Sequence, residues 1–187
     1  MHGHKIVNQN HIHFITPTVI GWIDVFSRQV YRDIVIDSLA YCRREKGLNV
    51  HAYVVMTNHL HLVVSAREGH LLSNMIRDFK RFTATKILEE IQRNPKESRR
   101  EWMINLMKNA AKSNKRNKLF QFWQQGNHPV ELISKKWLGR RIEYTHDNPV
   151  RAGFVRKQED YPYSSASNYL EHESILEIDV LDMNLLT

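Results

Sequence analysis

The stretch from Val50 to Ala66 leaves this chain little freedom in how it folds. Val50 to Met56 and His59 to Ala66 are two runs of apolar and β-branched residues on either side of Thr57-Asn58, a turn or bulge signal. They predict two strands that run back along one another. Side chains alternate faces along a strand, so His59 and His61 project from one face while Leu60 points into the core. Two imidazoles on one face are half of a metal site. They equally suit the polar face of a half-buried strand, and a His-x-His pair is too short to decide between the two. Two further pairs, His2/His4 and His11/His13, compete for the same role.

The flanking segments fix the surroundings of that hairpin. His11 to Trp22 is rich in β-branched and aromatic residues and is interrupted by Pro17, which predicts a first strand with an edge or bulge at the proline. From Ser27, residues Val30, Ile34, Leu39, Tyr41 and Cys42 fall at roughly helical spacing. Arg43-Arg44-Glu45-Lys46-Gly47 then reads as a helix stop. Strand, helix, strand, strand is half of a ferredoxin-like layout. Ser73 to Arg93 predicts a long helix with Ile76, Phe79, Thr83, Ile87 and Ile91 on its apolar side, broken at Asn94-Pro95. Arg77, Lys80 and Arg81 share one face of it, as a grip on a phosphate backbone or as a solvated surface. Residues 97–118 read as an added helix and basic loop that includes Lys115 and Arg116, and a fourth strand is expected between Gly126 and Ile133.

Ser134 is a suitable N-cap for a helix expected to run to Asn148, where Pro149 opposes continuation. At about 100° per residue, Trp137, Arg141, Tyr144 and Asn148 fall on one line beside the apolar stripe of Leu138, Ile142 and Thr145. An aromatic, a guanidinium, a phenol and a carboxamide in a row make an odd set for packing and a useful one for phosphoryl chemistry. A tyrosine hydroxyl, with a reference pKa of about 10, is a poor nucleophile without a metal or base. A divalent ion on His59 and His61 would supply that help, with Asn148 as a third ligand. The alternatives are a tyrosine at the boundary between core and water and an asparagine that caps a helix.

Composition narrows the partner. The formal net charge is +7 with a pI near 9.6, which favours nucleic acid first and an anionic membrane surface second. The single cysteine, Cys42, excludes an internal disulfide framework. The first residues lack an apolar h-region and no run approaches a membrane span, so a cytoplasmic, nucleoid-associated protein is expected. At 187 residues, one domain with an insertion at about 97–118 is expected.

Asn58-His59-Leu60-His61-Leu62, followed by Tyr144-Thr145-His146-Asp147-Asn148-Pro149-Val150-Arg151-Ala152-Gly153, resembles the single-tyrosine HUH transposases of the insertion-sequence-200 type. The REP-associated branch is the nearest, with Tyr161-Pro162-Tyr163-Ser164-Ser165 as a loose match to its downstream Tyr-x-x-Ser-Ser element. The resemblance covers about residues 11–170. It implies an α+β ferredoxin-like sandwich, an antiparallel sheet with helices on one face and the catalytic tyrosine on a late helix. It implies Mg²⁺ or Mn²⁺ on His59, His61 and Asn148, and Tyr144 as the nucleophile that cuts single-stranded DNA near imperfect hairpins through a 5′-phosphotyrosine. Trp137, Arg141, Arg77, Lys80, Arg81, Lys115 and Arg116 are the candidate nucleic-acid contacts. The resemblance favours His59/His61 over His11/His13, and leaves both monomer and homodimer open. A non-catalytic DNA- or RNA-binding protein with the same fold is the main alternative. A relaxase or replication initiator is a further one, disfavoured by the chain's small size.

Overall fold

The computed structural model describes residues 5–113 and 119–182. Its strands are β1 (His13–Ile15), β2 (Leu48–Val55), β3 (Leu60–Ala66) and β4 (Val130–Glu131). Its longer helices are α1 (Gln29–Glu45), α2 (Leu72–Arg93), α3 (Arg100–Lys112) and α4 (Lys135–Arg151). The sheet runs β2-β3-β1-β4 and every pairing is antiparallel. That is the expected ferredoxin-like order, with α3 added between α2 and β4.

The predicted hairpin forms, Val55 facing Leu60 across the turn and Val50 facing Val64, with a bulge at His51. Strand alternation sorts its side chains. Leu60, Leu62 and Val64 enter one core with α1 and α2, while Val63 joins Phe14, Ala52, Leu132, Leu138 and Ile142 in a second core under α4. The sheet is thus covered by α1 and α2 on one face and by α4 on the other, where the resemblance implies helices on one face only; strand alternation gives both faces apolar residues to bury. Sequence signals set the helix ends: the Ser134 hydroxyl accepts from the Trp137 N–H at 3.2 Å. At the end of α1, Gly47 adopts φ 75°, and a Cβ there would collide with the His70 ring.

The chain differs from the sequence expectation in three further places. First, α4 continues through Pro149 to Arg151. A proline so near the end forfeits a single helical N–H, and the end is closed by Ala152 N–H to the Asn148 carbonyl and Phe154 N–H to the Pro149 carbonyl, each at 2.9 Å. Second, the buried face of α1 is Tyr31, Val35, Ile36, Leu39 and Cys42. Val30 and Ile34 sit at its margin and Tyr41 lies outside. Apolar residues surround the first turns of α1, so periodicity alone does not select which of them meet the sheet. Third, β1 is only three residues long, although pairing resumes beyond Pro17 where Thr18 meets His59.

The outer edge of β2 is also covered. Val55 N–H donates to the Tyr163 carbonyl at 2.9 Å, Ser165 N–H to the Tyr53 carbonyl at 3.0 Å, and Asp179 N–H to the Val50 carbonyl at 2.8 Å. An edge strand satisfied in this way is closed to pairing with another chain. No helix of the described residues is long and apolar enough to cross a membrane.

Candidate metal and nucleophile site

Strand β3 and helix α4 bring the predicted residues together. The His59 and His61 ring centres are 4.7 Å apart, and the Tyr144 ring lies 5.2 Å from that of His61. Phe14, on the neighbouring strand β1, stacks on His61 at 5.1 Å and meets Tyr144 edge-on at 6.0 Å, which fixes both rings. Arg141 places its guanidinium 4.9 Å over Phe14 and 5.8 Å from the Tyr144 ring, and Arg151 lies 5.6 Å over the same tyrosine. Among the described residues the Tyr144 hydroxyl has no hydrogen-bond partner.

The two histidines are held neutral. Burial lowers the pKa of His59, and burial with the nearby His59 and Arg141 takes His61 down to about 3, although Asn148 bonds to the ring and opposes the shift. His61 is 5% exposed, and its Nδ1 is paired with the Thr16 hydroxyl at 3.0 Å. The His59 tautomer follows from the chain's own hydrogen bonds. The Asn58 amide nitrogen donates to the Trp22 carbonyl at 3.3 Å and to Asp24 Oδ1 at 3.0 Å, and both are acceptors. Its amide oxygen therefore faces His59 Nδ1, 2.8 Å away, and accepts the proton there. That arrangement leaves the His59 Nε2 lone pair free for a ligand.

The remaining sequence candidates divide. Asn148 lies one turn beyond Tyr144, its amide nitrogen donating to the Tyr144 carbonyl at 2.6 Å and its oxygen left for the His61 side. Trp137 is 52% exposed, one turn ahead of Arg141 on α4. Arg77 and Arg81 lie on α2, across the sheet from α4, and both pair with Asp78. Lys80 is a correction: its ammonium spends its donors inside the fold, on the Gln124 and Gly126 carbonyls at 3.1 Å each and on Asn127 Oδ1 at 2.7 Å. Desolvation lowers its pKa to about 8, and its work is to hold the 124–127 turn. Lys115 and Arg116 lie outside the described residues, as do His2 and His4. The rival His11/His13 pair is otherwise engaged, His11 with Glu131 and His13 Nδ1 with the His11 carbonyl at 2.9 Å. Tyr161 and Tyr163 are buried, their hydroxyls donating to the Val55 carbonyl and to Asp33.

Sequence reasoning missed Phe14, Thr16, Trp22, Asp24 and Arg151. Phe14 on β1 and Thr16 just beyond its end reach the His61 side of the sheet, a fact that needs the β1·β3 register, Phe14 facing Val63. Arg151 was masked by the expectation that α4 stops at Asn148. It also missed the tie that seats α4: His146 Nε2 is 2.8 Å from the Ser165 hydroxyl, which accepts from the Tyr53 N–H of β2 at 2.9 Å.

Comparison with known proteins agrees with this layout. A solved structure described as a REP-associated tyrosine transposase bound to a REP hairpin is similar over 97% of this chain and 94% of that one. Its TM-score is 0.60 at 17% identity, so the likeness is one of fold. No curated protein matches. Residues 6–105, more than half of the 187, match the family described as "Transposase IS200 like". The chain belongs to the IS200-like transposase family.

Proposed function

We propose that the protein is a metal-dependent endonuclease and strand transferase acting on single-stranded, hairpin-bearing DNA through Tyr144. The observation that carries this reading is the convergence, within one chain, of His59, His61, Tyr144 and two guanidiniums. The donor set suits a divalent cation such as Mg²⁺ or Mn²⁺: two neutral imidazoles, one with an oriented free Nε2, beside the Asn148 carboxamide oxygen. His59, His61 and Asn148 would hold the cation, with water and a phosphate oxygen to complete its coordination, although no group of three His, Cys, Asp or Glu forms among the described residues. When bound, the cation supplies charge to polarise the scissile phosphate.

The chain's own residues account for the rest of the reaction. Arg141 and Arg151 hold the phosphate and balance the charge that develops on it. The Tyr144 oxygen attacks phosphorus and gives its proton to solvent. A tyrosine–phosphorus bond forms on the 5′ phosphate, the bond from phosphorus to the 3′ oxygen breaks, and that oxygen takes up a proton to leave a 3′-hydroxyl. The linkage keeps the energy of a phosphodiester, so attack by a second 3′-hydroxyl reverses the step without ATP. Because α4 packs on its own chain's sheet, the reading favours a tyrosine serving its own histidines and a site complete in the monomer.

The reading is tested by incubating the protein with a pool of single strands carrying imperfect hairpins, with Mn²⁺, followed by denaturing electrophoresis. A protein-linked strand is expected from the native chain, and none from Tyr144→Phe or His59→Ala. Hairpin binding without any linked strand would support the non-catalytic alternative.

A further inference from the structure

The loop beside His59 holds an aromatic ring in a position that its packing does not explain. Trp22 is 58% exposed, yet its indole stands edge-on to the His59 ring at 6.0 Å. It has φ 56° and follows Gly21 at φ 62°, so two successive residues occupy the left-handed region and one of them is bulky. Such backbone persists only where its surroundings impose it, and here they do so from two sides. On the site side, the Asn58 amide that orients His59 donates to the Trp22 carbonyl and to Asp24. On the far side, Gly21 lies against Leu106 of α3, where a Cβ would approach to 3.1 Å, and Arg99 donates to the Asp24 carbonyl at 2.9 Å and to the Ser27 hydroxyl at 3.1 Å. The inserted segment thus serves as a buttress for this loop.

We propose that Trp22 is a stacking platform for a nucleobase next to the scissile phosphate, a specificity-determining contact braced by α3. The inference rests on the nuclease reading above. A phosphate held between the histidines and Tyr144 leaves its neighbouring nucleotides at the rim of the site, and Trp22 is the exposed aromatic in ring contact with a ligand histidine. Unpaired bases stack on aromatic faces with little dependence on sequence, and such stacking is a main contact of proteins with single strands. An indole fixed by its backbone contributes that face without ordering a loop on binding.

The test uses the full chain and hairpin-bearing single strands with 5-iodouracil throughout the unpaired flanks. Irradiation joins iodouracil to an aromatic ring stacked on it, and mass spectrometry identifies the partner. The expected crosslink is on Trp22. Trp22→Ala is expected to weaken binding of the unmodified strand about tenfold or more, while Trp22→Phe, which keeps an aromatic face, retains most of it. Trp22 is exposed, so an unchanged unfolding midpoint confirms that either variant is folded. Crosslinks confined to other residues, no crosslink at all, or Trp22→Ala with native affinity overturns the proposal. The strand linked to Tyr144 in Mn²⁺ is scored separately. A native chain that forms it without a Trp22 crosslink defeats only the stacking claim. A Trp22 crosslink without any linked strand defeats the nuclease reading and leaves the platform standing.

Discussion

Asn58 sits between two parts of the site that the sequence keeps apart, the histidine pair and the loop of Trp22 and Asp24. Its oxygen orients His59 and its nitrogen holds the loop, so replacement by alanine removes both functions while leaving His59, His61 and Asn148 in place. Loss of such an outer partner typically costs a site about 10–100-fold in metal affinity. Asn58→Ala is therefore expected to weaken Mn²⁺ binding by that order in a calorimetric titration, and native affinity would show that His59 needs no orienting partner. At this scale the sequence was legible where chemistry is local. His59, His61, Tyr144 and Asn148 were found from spacing within one element and are adjacent in the fold. Phe14, Thr16 and Trp22 were not, because each reaches the site across a strand register or through a left-handed turn that residue type does not announce. Lys80 read as a phosphate contact because helical spacing gives the face on which a residue lies, while the turn that captures its ammonium comes some forty residues later.

The decisive element is α4, whose placement over the sheet sets the distance between Tyr144 and the histidine pair. Leu138 and Ile142 pack it on Phe14, Ala52 and Val63, and the bond from His146 to Ser165 ties it to β2. Ser165→Ala would leave His146 and the Tyr53 N–H without this partner in a buried place, a loss of about 1–3 kcal/mol. The expected outcome is a lower denaturant midpoint and slower formation of the strand-linked product at saturating DNA. A variant as stable and as fast as the native chain would show that the tie does not position Tyr144. The helix itself was legible from Ser134 onward, and its Leu138, Ile142 and Thr145 face is the buried one. Its end was not, because the rule that proline terminates helices is weak in a last turn that other donors can close. The β2–β3 hairpin was the most legible element, since both strands and their turn are contiguous in sequence.

At the scale of the whole molecule, four histidines of the described residues that burial shifts carry a common consequence. Burial lowers the pKa values of His51, His59, His61 and His146, the last to about 4. Below the ordinary value of about 6.5 the unfolded chain takes up protons that the folded chain refuses, so stability is complete above that pH and is lost as pH falls toward 4. Glu97 shifts the same way, held down to about 2 by its bonds to Arg99 and Tyr31 despite burial, and its contribution is lost at lower pH, as pH falls from the ordinary carboxylate value toward 2. With metal chelated, unfolding at pH 5.0 is expected to need less denaturant than at pH 7.5, each histidine that stays neutral in the fold costing on the order of 2 kcal/mol of stability. Equal midpoints would mean that these histidines are not buried as neutral groups. The large groove of about 1170 Å³ between α1 and α2 lies across the sheet from Tyr144 and takes no part in the site. The central claim is that Tyr144 attacks DNA, and the measurement that tests it most directly is mass spectrometry of the strand-linked protein after digestion. The account predicts a 5′-phosphonucleotide on Tyr144, in the tryptic peptide from Ile142 to Arg151. A nucleotide on Tyr161, on Tyr163 or on any other residue would contradict it.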